Sequence, residues 1–94
     1  MKVVFYREGS DVFAVFPEEP GTSDPQTMLC YAHIGQHSSC HSGYLAGKRL
    51  AKPEEYKVLL AELQDIYEGA IEVLPKMPPN TVRIRIKTLR KIGG

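Results

Sequence analysis

Apolar and polar side chains alternate through the first third of the chain. Residues 2–7 (Lys-Val-Val-Phe-Tyr-Arg) and 12–16 (Val-Phe-Ala-Val-Phe) are rich in β-branched and aromatic types, which suit a pleated, half-buried surface. Between them Glu8-Gly9-Ser10-Asp11 gathers turn formers around a glycine, so the pattern predicts a β-hairpin. Pro17 ends the second strand because it has no N–H for the ladder. Residues 17–26, with three prolines, read as a surface loop. Residues 27–34 then set Met28, Cys30, Ala32 and Ile34 against Leu29, Tyr31 and His33. That is a third strand with two distinct faces, released into a loop by Gly35.

The period changes further along. Tyr56, Leu59, Leu60, Leu63, Ile66, Tyr67 and Ala70 recur at helical spacing, with Glu54, Glu55, Lys57, Glu62, Asp65 and Glu68 on the other side. The spacing predicts an amphipathic helix over residues 53–68. Pro53 suits the first helical position, and Glu54 and Glu55 complement the positive end of the helix dipole. Lys52 is a poor N-cap, so a frayed start is expected, and Gly69 supplies the stop. Residues 70–74 read as a fourth strand and residues 75–80, with three prolines, as a loop. Residues 81–87 read as a fifth strand, with Val82, Ile84 and Ile86 inward and Arg83, Arg85 and Lys87 outward. The expected fold class is α+β: a small antiparallel sheet of four to five strands with one main helix packed on one face. With 94 residues, no repeat and no linker, the chain has room for a single core.

Charge separates along the chain. The formal net charge is +1, but residues 1–80 carry 7 Lys/Arg against 11 Asp/Glu, whereas Arg83, Arg85, Lys87, Arg90 and Lys91 follow with no acid. A basic segment of this kind either guards an edge strand from pairing or tracks a phosphate backbone, the second being an alternative nucleic-acid site. Aromatic side chains that would stack bases are absent from residues 81–94. The apolar run at the start meets Arg7 and Glu8 too early for a signal peptide or membrane span, so a cytoplasmic protein with reduced cysteines is expected.

All three histidines and both cysteines lie between Cys30 and His41, and these are the side chains that bind transition metals and titrate near neutral pH. Strand alternation would send Cys30 and His33 to opposite faces. His37, Cys40 and His41, at spacings of three and four, would share one side of a helical turn and offer an alternative zinc site. Cys40 with a histidine as base is a weaker arrangement, since a small domain offers little cleft for a substrate. No glycine-rich phosphate loop and no readable carboxylate pair is present, so an enzyme is not expected.

Ala14-Val15-Phe16-Pro17, Pro20-Gly21-Thr22, Tyr31-x-His33-Ile34-Gly35-Gln36-His37, Lys52-Pro53-Glu54-Glu55-Tyr56 and Leu59-Leu60-Ala61-Glu62-Leu63 carry a resemblance. Over residues 2–74 the chain resembles a group of short proteins of gut bacteria and of their phages and mobile elements, for which no activity is established. The resemblance implies a setting on accessory DNA and not a reaction. The functional expectation is therefore a binding module. Residues 33–44, a polar stretch with His33, Gln36, His37, Ser38, His41 and Tyr44, would contact a protein or a small anionic ligand.

Overall fold

The computed structural model describes residues 1–32 and 37–93, with the side chains of residues 92 and 93 left aside. The N-terminal hairpin forms as its pattern predicts: β1 (Lys2–Glu8) pairs antiparallel with β2 (Asp11–Phe16), Val4 opposite Val15 and Arg7 opposite Val12. Gly9 sits in the turn at φ +61, a conformation that costs glycine little. β3 (Thr27–Tyr31) adds to the far side of β2, and β4 (His37–His41) adds to β3. On the other side of β1, two short strands share its length. β5 (Arg49–Leu50) pairs antiparallel at Tyr6 and Arg7, and β6 (Glu72–Val73) pairs parallel at Lys2 and Val3. The order β4-β3-β2-β1-β5, with β6 beside β1, gives an α+β fold with a largely antiparallel sheet.

Each face of the sheet buries its own cluster. Val3, Phe5, Ala14, Phe16 and Tyr31 point to one face, where Leu59 and Leu63 of α2 (Pro53–Ile66) cover them. Phe5 stacks on Tyr56 at 4.3 Å between ring centroids. Val4, Tyr6, Val15, Met28 and Cys30 point to the opposite face with Leu45 of α1 (Ser42–Leu45), a single helical turn. This division follows directly from the period of two along each strand.

α2 starts where the sequence places it, and its start is held rather than frayed. The Lys52 side chain does not cap it, but the Glu55 carboxylate accepts the Lys52 N–H at 2.8 Å. The same carboxylate pairs with Arg7 and Arg49, so one acid closes the helix end and fastens it to β1 and β5.

The largest correction is at the C-terminus. Residues 81–93 form α3 (Thr81–Gly93), not a fifth strand. Val82-Arg83-Ile84-Arg85-Ile86-Lys87 fits both periods over six residues, but Thr88-Leu89-Arg90-Lys91 breaks the alternation and keeps the helical one. Val82, Ile86 and Leu89 are spaced i, i+4, i+7, as are Arg83, Lys87 and Arg90. Arg85 therefore points inward. It is 0% exposed, donating from Nε to the Pro25 carbonyl at 2.7 Å and from Nη1 to the Pro17 carbonyl at 2.6 Å. A buried guanidinium thus ties α3 to both ends of the proline-rich loop between β2 and β3.

Candidate functional site

The end of the sheet at the β1–β2 turn carries an open groove of about 910 Å³, within the size range of small-molecule sites. It is lined by the turn itself, by β2 through Phe13, by β3 and β4 through Cys30, Ser38 and Cys40, and by His41 and Tyr44. Val58 and Leu59 of α2 close the other wall. Val58 is 73% exposed because it lies off the apolar stripe that α2 buries, so it faces the groove rather than the core.

An aromatic ladder builds one wall. Tyr6 stacks on Phe13 at 5.8 Å, and Phe13 meets Tyr44 at 6.2 Å. Lys48 sits 4.6 Å over the Tyr44 ring, a cation–π contact that fixes the ring plane. The Tyr44 hydroxyl donates to Glu8. That bond holds the Glu8 carboxyl below its usual range, assisted by Lys48, while raising the Tyr44 hydroxyl. Glu8, Asp11 and Glu55 all line the groove, and among the described residues no Lys or Arg does. Glu8 is paired with Lys48 at 3.3 Å and Glu55 with Arg7 and Arg49, so much of their charge is offset by cations just outside the lining.

The thiols occupy the same region. The β3–β4 register sets Cys40 opposite Met28 and Cys30 opposite Ser38, which puts both cysteines on one face at diagonal positions. Cys30 Sγ lies 3.3 Å from Ser38 Oγ, and both thiols are free. The Cys40 thiol and the Ser38 hydroxyl hold Cys30 down to about 6, while the Cys30 sulfur and burial push Cys40 up.

Residues 37–44 are not the open loop expected from the sequence, since they form β4 and the turn α1. Strand alternation sends His37 and His41 to one face and Cys40 to the other, so these three do not share the side of a helical turn that a zinc site would need. His37 Nε2 is hydrogen-bonded to the Tyr67 hydroxyl at 2.8 Å, its ring edge-on to Tyr31. It fastens the edge strand to the end of α2. His41 Nδ1 accepts the Gly43 N–H at 3.0 Å. Among the described residues, no group of three His, Cys, Asp or Glu side chains could hold a metal ion. His33 and Gln36 lie outside the described residues.

Of the expected contact residues, Ser38, His41 and Tyr44 do meet in the groove. Sequence reasoning missed Phe13, Val58 and the acids. Val58 carried a readable signal, being an apolar residue outside the helical stripe. The basic set divides: Arg85 is buried, whereas Arg83, Lys87, Arg90 and Lys91 are exposed. Comparison with family models, with curated proteins and with solved structures finds no match to this chain. Among the described residues no helix is long and apolar enough to cross a membrane.

Proposed function

We propose that the protein is a binding module whose groove at the β1–β2 end takes the apolar part of a small molecule or of a partner's peptide segment. The carrying observation is the groove itself: about 910 Å³, with Phe13, Tyr44 and Val58 offering apolar surface and Glu8 and Asp11 at the rim. That lining favours a neutral ligand over the anionic one expected from the polar stretch, because none of the described lining residues is a Lys or Arg that would pair with an anion. Orientation would come from Ser38, His41 and the Tyr44 ring, which Glu8 and Lys48 hold in place. A cytoplasmic setting rests on the short apolar run at the start of the chain, and an accessory role for a phage or mobile element rests on the sequence resemblance alone.

The test uses two fluorescent probes, neutral Nile red and anionic anilinonaphthalene sulfonate. Nile red should bind the parent and lose about fivefold in affinity in both Tyr44→Ala and Val58→Glu, each removing on the order of 1 kcal/mol of apolar contact. Sulfonate binding that is tighter than Nile red, or Nile red binding indifferent to both substitutions, refutes the groove reading.

One observation favours a second reading. Arg83, Lys87, Arg90 and Lys91 stand on one exposed face of α3, a cationic stripe that would follow a phosphate backbone. With Arg85 turned inside, it has four charges rather than five. Such a contact would be weak and steeply salt-dependent.

A further inference from the structure

The two thiols carry an inference that goes beyond ligand binding and does not depend on it. Three independent features meet at them. Their register places them on one sheet face at diagonal positions of adjacent strands. Both border the groove, so a small reagent reaches them although Cys30 is otherwise buried. The third feature is Arg85. Among the described residues its Nη2 is buried without a hydrogen-bond partner, its bonds go to two neutral carbonyls, and its charge acts on the Cys40 thiol. A buried cation without a bonded counter-charge is costly, and it favours ionisation of the Cys40 sulfur, the one that attacks second.

We infer that Cys30 and Cys40 form a redox-active dithiol, oxidised by peroxide to an intramolecular disulfide and restored by thiol reductants. The Cys30 thiolate attacks one oxygen of hydrogen peroxide: an S–O bond forms, the O–O bond breaks, and hydroxide leaves, becoming the first water with the proton Cys30 released to solvent on ionising. Cys30 becomes a sulfenic acid. The Cys40 thiol then gives its proton to the departing group as its sulfur attacks Cys30. An S–S bond forms, the S–O bond breaks and water leaves. Two thiols lose two electrons and one peroxide becomes two waters.

Bridging requires β4 to move. Diagonal partners on neighbouring strands sit near or just beyond the Cα separation a disulfide accepts, so a shift on the order of 1 Å is needed. β4 is the end of the strand order and pairs only with β3 among the described residues, so the shift is opposed by that one ladder and by the His37–Tyr67 hydrogen bond. A bond closed against this displacement is strained, and strained disulfides are the readily reduced ones. Ser38 and Cys40 from β4, Tyr6 from β1, Tyr44 from α1 and Arg85 from α3 are the groups whose hydrogen bonds or charges act on the pair.

The experiment titrates the parent protein with hydrogen peroxide, counting free thiols and recording intact mass. The expected result is loss of both thiols together, a monomer lighter by two hydrogens, and recovery with dithiothreitol. At pH 6 a thiol ionising near 6 is about half thiolate and one at 8.5 about 0.3%, and lower nucleophilicity takes back roughly tenfold of that ratio. The parent should therefore react about tenfold faster than free cysteine at this pH. In Cys40→Ser, Cys30 should give a sulfenic acid trapped by dimedone, and in Cys30→Ser labelling should be several-fold weaker. Disulfide-linked dimers as the sole product, reaction no faster than free cysteine, or equal dimedone labelling of the two variants overturns the assignment. The measurements on the parent stand even if Cys30→Ser fails to fold.

Discussion

Replacing Arg85 tests the least expected feature of the fold. Its guanidinium makes two bonds to carbonyls 60 and 68 residues earlier in the chain, and hydrogen bonds to a charged group contribute about 1.5–3 kcal/mol each. Arg85→Met removes both and leaves the Pro17 and Pro25 carbonyls to find other partners. Pro25 is only half-buried, so water recovers part of that bond, whereas Pro17 is buried and its carbonyl stays unpaired. Against this, Met removes a buried charge and an orphaned N–H, relieving a desolvation cost that already pulls the guanidinium below its ordinary pKa. The difference leaves Arg85→Met destabilised by about 1–3 kcal/mol, less than the two bonds alone suggest. Arg85→Lys should be worse than Met. It keeps the buried charge but loses the planar fork, and a single ammonium is poorly matched to two carbonyls that Nε and Nη1 now serve separately. Urea unfolding followed by circular dichroism measures both, the midpoint falling at unchanged slope. A lysine variant as stable as the parent, or a methionine variant more stable than it, would refute this account of α3 docking.

Other consequences are simpler to state. Leu63 is 0% exposed beneath α2, so Leu63→Ala should cost about 2–4 kcal/mol through lost burial and a cavity; an unchanged thermal melt would contradict the packing of α2 on the sheet. Gly21 lies against β3 and β4, where an added Cβ would meet Ser39 and come within 2.6 Å of the Met28 carbonyl oxygen. Gly21→Ala should therefore destabilise by roughly 1–3 kcal/mol, and a neutral result in urea would show that the loop yields. Binding of a short DNA duplex, if observed, should weaken with salt with a log–log slope no steeper than about −4, since four exposed cations are available. Arg83→Ala with Lys87→Ala should then reduce both affinity and slope, and a double variant that binds like the parent rejects the stripe.

The parts of the fold that were legible in the sequence are those where one period dominates over a long window. The β1–β2 hairpin has turn formers between two β-rich runs, and α2 repeats its apolar stripe over more than three turns. β6 falls within the strand read at residues 70–74, shortened to two residues, whereas β5 was missed because two paired residues are too few to show alternation; each exists because β1 offers half its length as an edge. α3 misled for a specific reason. Its first six residues alternate as a strand does, and only the break at Thr88-Leu89 favours the helix. The inward turn of Arg85 had no local signal, since its partners are carbonyls supplied by a loop distant in sequence.

The candidate site shows the same division between what spacing fixes and what pairing fixes. Spacing grouped His37, Cys40 and His41 as though they lay on a helix; once residues 37–41 are a strand, parity places Cys40 with Cys30 instead of with the histidines. Cys30 and Cys40 are ten positions apart, an even spacing that shares a face only in a register pairing even-numbered positions with even-numbered ones. The missing fact was the β3–β4 register, which sets Met28 against Cys40 and Cys30 against Ser38. A register slip of one residue would turn Cys40 to the α2 side and part the thiols. The pairing that buries Met28 therefore also brings the two sulfurs together, so substitutions at Met28 should perturb thiol reactivity as well as stability. The His/Cys cluster gains its chemical meaning from that core contact, not from its density along the chain.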